Sequence, residues 1–227
     1  MAKMDEFREE REAMKNAPLK DRIAYFWEYN KLETFLVVFG TICVISIAVT
    51  ILGRKDVVLE GMLINRFWME MEGAGCESIT EDYFAYRELD ADDYDLMLNG
   101  SSNYFPNNDG VLIEENVNTS QLIAASCSAQ SLDFIIAEPD TLHEFDQAEY
   151  FLDLRELLTA EQLEEYEEYL IYSEVQTEVP IMIDITGCEK IEEVYAYDHE
   201  VLACGVILNA PHTEEMVHFV DYLMAQK

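Results

Sequence analysis

Basic side chains are scarce in this chain, and the scarcity is uneven. Lys and Arg number 14 among 227 residues, against 47 Asp and Glu. Only five of the 14 lie beyond residue 55, together with 39 of the 47 acidic residues. Residues 56–227 therefore carry a formal charge of about −34, and residues 1–55 about +1. A surface so poor in cations excludes nucleic acid as a partner, because phosphate backbones are held by basic footprints. Anionic lipid and polyanionic wall polymers are disfavoured on the same ground. Basic proteins, cationic peptides and divalent ions are not.

Signatures of catalysis are missing too. His143, His199, His212 and His218 form no His-Glu-x-x-His pattern, and there is neither a Gly-x-Ser-x-Gly elbow nor a phosphate-binding loop. His212 and His218 are six residues apart and fall on different faces of a helix. The nearest approach to a calcium loop sets Gly110 at position six. Asn107 and Asp109 then match, but Phe105 and Asn116 fail at the first and last positions. The expectation is a non-enzymatic protein with no cofactor. Internal repeats and low-complexity linkers are also absent, and 56–227 is long enough for one globular domain or two small ones.

What the chain does have is a long apolar run. Thr34 to Gly53 are twenty consecutive uncharged residues. As a helix they extend about 30 Å, the thickness of a bilayer's hydrocarbon core. Phe35–Leu52 is too apolar all round for a half-exposed core helix. The run is longer than a signal-peptide core, starts after more than thirty residues and ends without a small-x-small cleavage site. Cys43 sits in its middle, which does not suit a lipid-modified cysteine. Lys20, Arg22 and Lys31 precede the run and Arg54 and Lys55 follow it. With Lys3, Arg8, Arg11 and Lys15 further upstream, the bias predicts a cytoplasmic N-terminus and an extracellular C-terminal domain.

The domains expected are thus a cytoplasmic lead (1–31), a transmembrane signal anchor (32–53) and an acidic extracellular domain (56–227). Residues 1–17 read as a solvated helix or tail, closed by Pro18. From Leu19, the helical spacing of Ile23, Phe26 and Trp27 predicts an interfacial collar beside the anchor, or a docking helix for a membrane partner.

In the acidic domain, strand-like and helix-like blocks alternate. Strands are predicted at 57–65, 94–99, 132–137, 180–186 and 201–209, and helices at 78–89 and 119–130. Thr141-x-x-Glu144 and Thr159-x-x-Gln162 have capping-box spacing, the second opening a helix towards Tyr172. A last helix starts at Thr213, with Met216, Val217, Val220, Leu223 and Met224 on one stripe. The predicted fold class is α/β, a single doubly wound mixed sheet with helices on both faces, preceded by one transmembrane helix. Export permits disulfides among Cys76, Cys127, Cys188 and Cys204, although Cys127 and Cys204 sit in apolar segments that suit buried thiols.

Three segments carry a resemblance. Ser126 to Glu138, with Asp133-Phe134-Ile135-Ile136-Ala137, resembles the helix and D-x-I-x-A strand of extracellular solute-binding proteins of ABC importers. Phe151 to Leu158 is similar to their x-L-D-L-x-x-L-L segment, and Cys204 to Leu223 to their closing strand and helix. The resemblance spans about 130–160 residues. With the anchor included, the chain looks like membrane-anchored, type II periplasmic-binding-protein-like relatives in Gram-positive bacteria. It implies a solute-binding fold, but only some forty residues separate the strands ending near Ala137 and starting near Pro180. A second lobe needs about 50 or more, so one lobe is expected.

Ligands of open α/β sheets lie beyond the strand carboxyl ends. That rule nominates Asn65, Ser101, Ser102, Tyr104, Glu138 and Asp184 as a polar rim, residue types that also serve as ordinary loop and cap residues. The functional expectation is an anchored interaction module for a membrane or cell-surface protein, accessory to an envelope transporter. A receptor that captures a sugar, peptide or amino acid for an importer or sensor is the alternative, and a calcium-dependent adhesive domain a third.

Overall fold

A computed structural model of the chain describes residues 18–66, 76–106, 113–195 and 199–227. The tail 1–17, residues 107–110 of the Pro106 loop and the side chains of Arg22 and Phe26 lie outside the described residues. The chain divides into two units, Met1–Arg54 and Lys55–Lys227.

The first unit is built on one uninterrupted helix, α1 (Leu19–Leu52). The collar and the apolar run are therefore continuous. Its stretch Lys31–Thr50 is long and apolar enough to cross a membrane, and none of it is buried within the protein. Thr41 and Thr50 return their hydroxyls to the carbonyls of Val37 and Ser46, at 2.8 and 2.9 Å. Internal pairing of this kind satisfies these two hydroxyls without solvent.

The second unit is a mixed α/β domain. Its elements are β1 (Asp56–Leu63), α2 (Glu77–Arg87), β2 (Tyr94–Asn99), α3 (Glu114–Ala129), β3 (Phe134–Ala137), α4 (Pro139–Asp146), α5 (Leu154–Leu157), α6 (Ala160–Glu165), β4 (Leu170–Tyr172), β5 (Pro180–Asp184), α7 (Glu189–Glu192), β6 (Ala203–Val206) and α8 (Thr213–Ala225). The six strands form one sheet in the order β2-β1-β3-β6-β5-β4. β1 pairs in parallel with β2 and β3, whereas β6 is antiparallel to both β3 and β5, and β4 to β5. β5 consequently points the same way as β1, β2 and β3, and the carboxyl ends of these four strands share one edge.

Strand residues alternate between two apolar clusters, as the pleat requires. Leu59, Leu63, Phe134 and Ile136 join one with Tyr83 of α2 and Phe219 of α8. Met62, Ile64, Ile135 and Ala137 join the other with Ile123 of α3 and Leu142 of α4. In the first cluster the Phe219 ring lies 4.6 Å from Phe134 and 5.1 Å from Tyr83, centroid to centroid. Gly205 makes room for a neighbour, since a Cβ there would meet the Phe151 ring at 2.6 Å. Among the described residues all five cysteines are unpaired, and Cys127, Cys188 and Cys204 are buried.

Four differences from the sequence reading go beyond a shift of one or two residues at an element's end. α3 starts at Glu114 rather than Thr119, with Glu114 and Glu115 in its first turn complementing the helix dipole. Thr119 is instead buried, donating to the Asn103 carbonyl at 2.7 Å. The Thr141 box does not form. Pro139 opens α4 with Glu138 at the N-cap, because proline at the first helical position gives up no hydrogen bond. The Thr159–Gln162 box does form, but its helix stops at Glu165 and Leu170–Tyr172 pairs with β5. Leu170 and Ile171 each pack against a different cluster, which a strand allows. The last strand is shorter than 201–209, with Ile207 reduced to a bridge to Phe151.

α2 and α8 are tied by a bidentate ion pair, Arg87 to Glu215 at 2.8 and 3.0 Å, with the Tyr83 hydroxyl also on Glu215. Burial pushes the Glu215 carboxyl up, but hydrogen bonds from Arg87 and Tyr83 outweigh it and hold the group below its ordinary value. This contribution is present at neutral pH and is lost as pH falls below 4.5 and through the lowered value. Glu215→Gln is expected to cost about 1–2 kcal/mol at pH 7 and to flatten the acid limb of the stability profile, read by denaturant melts from pH 7 to 3. Gly205→Ala is expected to cost about 1–3 kcal/mol by overpacking against Phe151, read by the same melts.

Candidate functional site

The carboxyl edge is built from the point where β1 runs out. Asn65 adopts a left-handed conformation, φ 59°, which asparagine tolerates better than most residues. Its amide then clamps the backbone of Tyr104, donating to the carbonyl and accepting from the N–H, both at 2.7 Å. Its own N–H donates to the Ser102 carbonyl at 3.0 Å. Asn116 of α3 clamps Phe105 in the same two-bond manner, each at 2.9 Å. Two asparagines and Thr119 thus hold segment 102–105 beyond β2.

That segment forms one wall of an open cleft of about 200 Å³, lined by Ser101, Ser102 and Asn103 and, from α3, Glu115, Asn118, Thr119 and Leu122. Ser101 closes a turn by donating its N–H and hydroxyl to Asn99. Tyr104 packs its ring on Phe145 at 4.9 Å. Burial, then the Glu144 carboxylate, pushes its hydroxyl pKa up, so it stays protonated at neutral pH and can donate.

The other nominated residues belong to different neighbourhoods. Glu138 stands at the N-cap position of α4 without a side-chain bond to the helix, and its carboxyl is pushed up by burial and by Asp140 and Glu200, against a lowering from His199. Nearby, the Tyr195 hydroxyl donates to the Ile136 carbonyl at 3.0 Å and the Ile64 carbonyl at 3.3 Å, tying β1 to β3. Asp184 accepts from Thr186 and is bridged by Lys227 at 3.3 Å. Strand β6 separates β3 from β5, so the ends carrying Glu138 and Asp184 are about 10 Å apart. The structure therefore gathers Asn65, Ser101, Ser102 and Tyr104, sets Glu138 at the end of the neighbouring strand β3, where the Ile64 N–H donates to the Ile136 carbonyl at 2.9 Å, and leaves Asp184 apart.

Sequence reasoning missed Asn103, Asn116 and Thr119. Asn116 was visible only as the residue that fails a calcium loop, and nothing in its spacing announces a clamp on Phe105. Asp133 was read only as part of a strand motif. It is fully buried, and its carboxylate accepts from the Glu60 N–H (2.8 Å) and the His212 N–H (2.9 Å), with His212 Nδ1 also 2.9 Å away. This pairing fixes β1, β3 and α8 to one another at the opposite edge of the sheet. Among the described residues no three His, Cys, Asp or Glu side chains are grouped to hold a metal ion.

Comparison with protein-family models, curated proteins and solved structures finds no match to the chain.

Replacing the Asn65 side chain removes both hydrogen bonds of its clamp on the Tyr104 backbone. Asn65→Ala is expected to cost about 2 kcal/mol and to speed hydrogen exchange at the Tyr104 amide. Asn65→Gly keeps the left-handed backbone and should cost less, a ranking that denaturant melts resolve.

Proposed function

We propose that the chain is a membrane-anchored, non-enzymatic interaction module. Phe35–Leu52 is its anchor, its N-terminus is cytoplasmic, and its acidic domain lies outside the cell as one doubly wound lobe of solute-binding type, with helices on both faces of the sheet. The observation that carries this reading is the fate of the domain's five cations. Arg66 donates to Cys76, Arg87 and Arg155 grip Glu215 and Asp153, and Lys190 and Lys227 pair with Glu193 and Asp184. Every positive side chain after residue 55 is thus engaged within the domain, Arg155 and Lys190 at its surface, and the acidic excess is left to attract basic partners. Lys55, which weakens the orientation bias, is itself held by the Ala91 carbonyl at 2.6 Å.

Site geometry favours surface contact over solute capture. A cleft of about 200 Å³ is below the roughly 300–1,000 Å³ that encloses a small molecule. Among the described residues there is one sheet, with no second one to close over it. In-cell photo-crosslinking from the acidic domain is expected to recover a protein with a basic face, through contacts that weaken steeply with salt. The full-length protein in detergent should show no saturable thermal shift with sugars, amino acids or peptides lacking basic residues. A shift of that kind, with no crosslinked partner, would replace this reading by the solute receptor.

A further inference from the structure

Away from the carboxyl ends of β1, β2, β3 and β5, the segment after α4, the loop after β4 and Leu208 enclose a groove of about 260 Å³. Phe151, Val179 and Ile181 give it an apolar floor, and Val175 and Leu208 stand at its mouth. These last two are each 55% exposed, more than any other large apolar side chain described in the domain. Exposed aliphatics that converge on one groove mark a contact surface, whereas scattered ones do not. The rim is acidic. Asp146, Glu149, Asp153 and Glu156 line it.

The charges on that rim are not equivalent. Asp153 is neutralised by Arg155 at 2.6 Å. Asp146 is buried and accepts from the Ser173 hydroxyl and the Glu174 N–H, at 2.8 and 3.1 Å. No described cation pairs with Asp146, Glu149 or Glu156, since the domain's other basic groups are engaged elsewhere. The groove thus joins an uncovered apolar mouth to uncompensated negative charge. Its volume suits one or two side chains rather than a whole small ligand.

We infer that this groove docks a cationic segment of a protein partner, inserting an aliphatic side chain between Val175 and Leu208 with a neighbouring Lys or Arg on Glu149 and Glu156. The inference rests on the interaction-module reading and names the partner chemistry that the reading leaves open. Charge complementarity selects the occupant. A neutral apolar segment would leave the carboxylates facing desolvation, and a polycation without aliphatic residues would leave Val175 and Leu208 in water.

The test uses the full chain in zwitterionic nanodiscs and a fluorescent peptide, Lys-Leu-Lys-Val-Lys-Gly, read by anisotropy at 0.15 M salt with empty nanodiscs subtracted. Saturable binding is expected. Val175→Ala with Leu208→Ala should weaken it about tenfold, as should Glu149→Gln with Glu156→Gln. Glu164→Gln with Glu165→Gln, the same change of charge on exposed positions of α6, should stay within about twofold of wild type. The inference is overturned if the α6 pair weakens binding as much as the rim pair, if the alanine pair binds like wild type, or if a Ser-for-aliphatic peptide binds equally well. Those outcomes leave the module reading standing, because it fails on in-cell crosslinking instead. Unchanged melting temperatures in all three variants exclude misfolding as the cause.

Discussion

The domain beyond residue 55 has to fold with 39 acidic and five basic side chains. Self-repulsion opposes compaction, so each cation is placed where it joins elements distant in sequence or steadies a local turn. Arg87 joins α2 to α8, and Lys227 returns the C-terminus to β5. Arg155 steadies the start of α5. The same economy leaves each positive group after residue 55 already engaged, so that none is left over to offset the remaining carboxylates. Stability and surface character are thus two consequences of one composition.

Buried polar pairings compensate for the missing cations. Asp133 is held by two backbone N–H groups and a histidine ring nitrogen rather than by Lys or Arg. Tyr222 and Gln226 of the C-terminal segment donate to Asp82, and Tyr166 and Gln162 donate to Asp221. Hydroxyls and amides therefore take over work that ion pairs do elsewhere. Each such bond contributes about 1 kcal/mol, more where the acceptor is charged.

Periodicity made the long elements legible. The apolar run of α1, the strands β1, β2, β3 and β5, and the stripe of α8 are set by local pattern, and all lie where that pattern places them. Short elements were decided by partners distant in sequence. Leu170–Tyr172 follows an acidic helical stretch and reads as more of it, yet becomes a strand because β5 offers an edge. Thr141 has the spacing of a cap, but Pro139 two residues earlier already fixes the helix start. The strand-end rule found Ser101 and Ser102 at a cleft. It could not show that Asn116 and Thr119, on a helix, hold that cleft's wall, nor that Lys227 covers Asp184.

A role in contacting basic partners outside the cell requires the acidic domain to be there. Protease added to intact cells, followed by detection of a tag at each end, addresses this directly. Digestion of the C-terminal tag, with a short N-terminal fragment left in the membrane pellet, is the predicted result. A C-terminal tag that survives until the cells are lysed, or intact chain in the aqueous fraction without detergent, would contradict it.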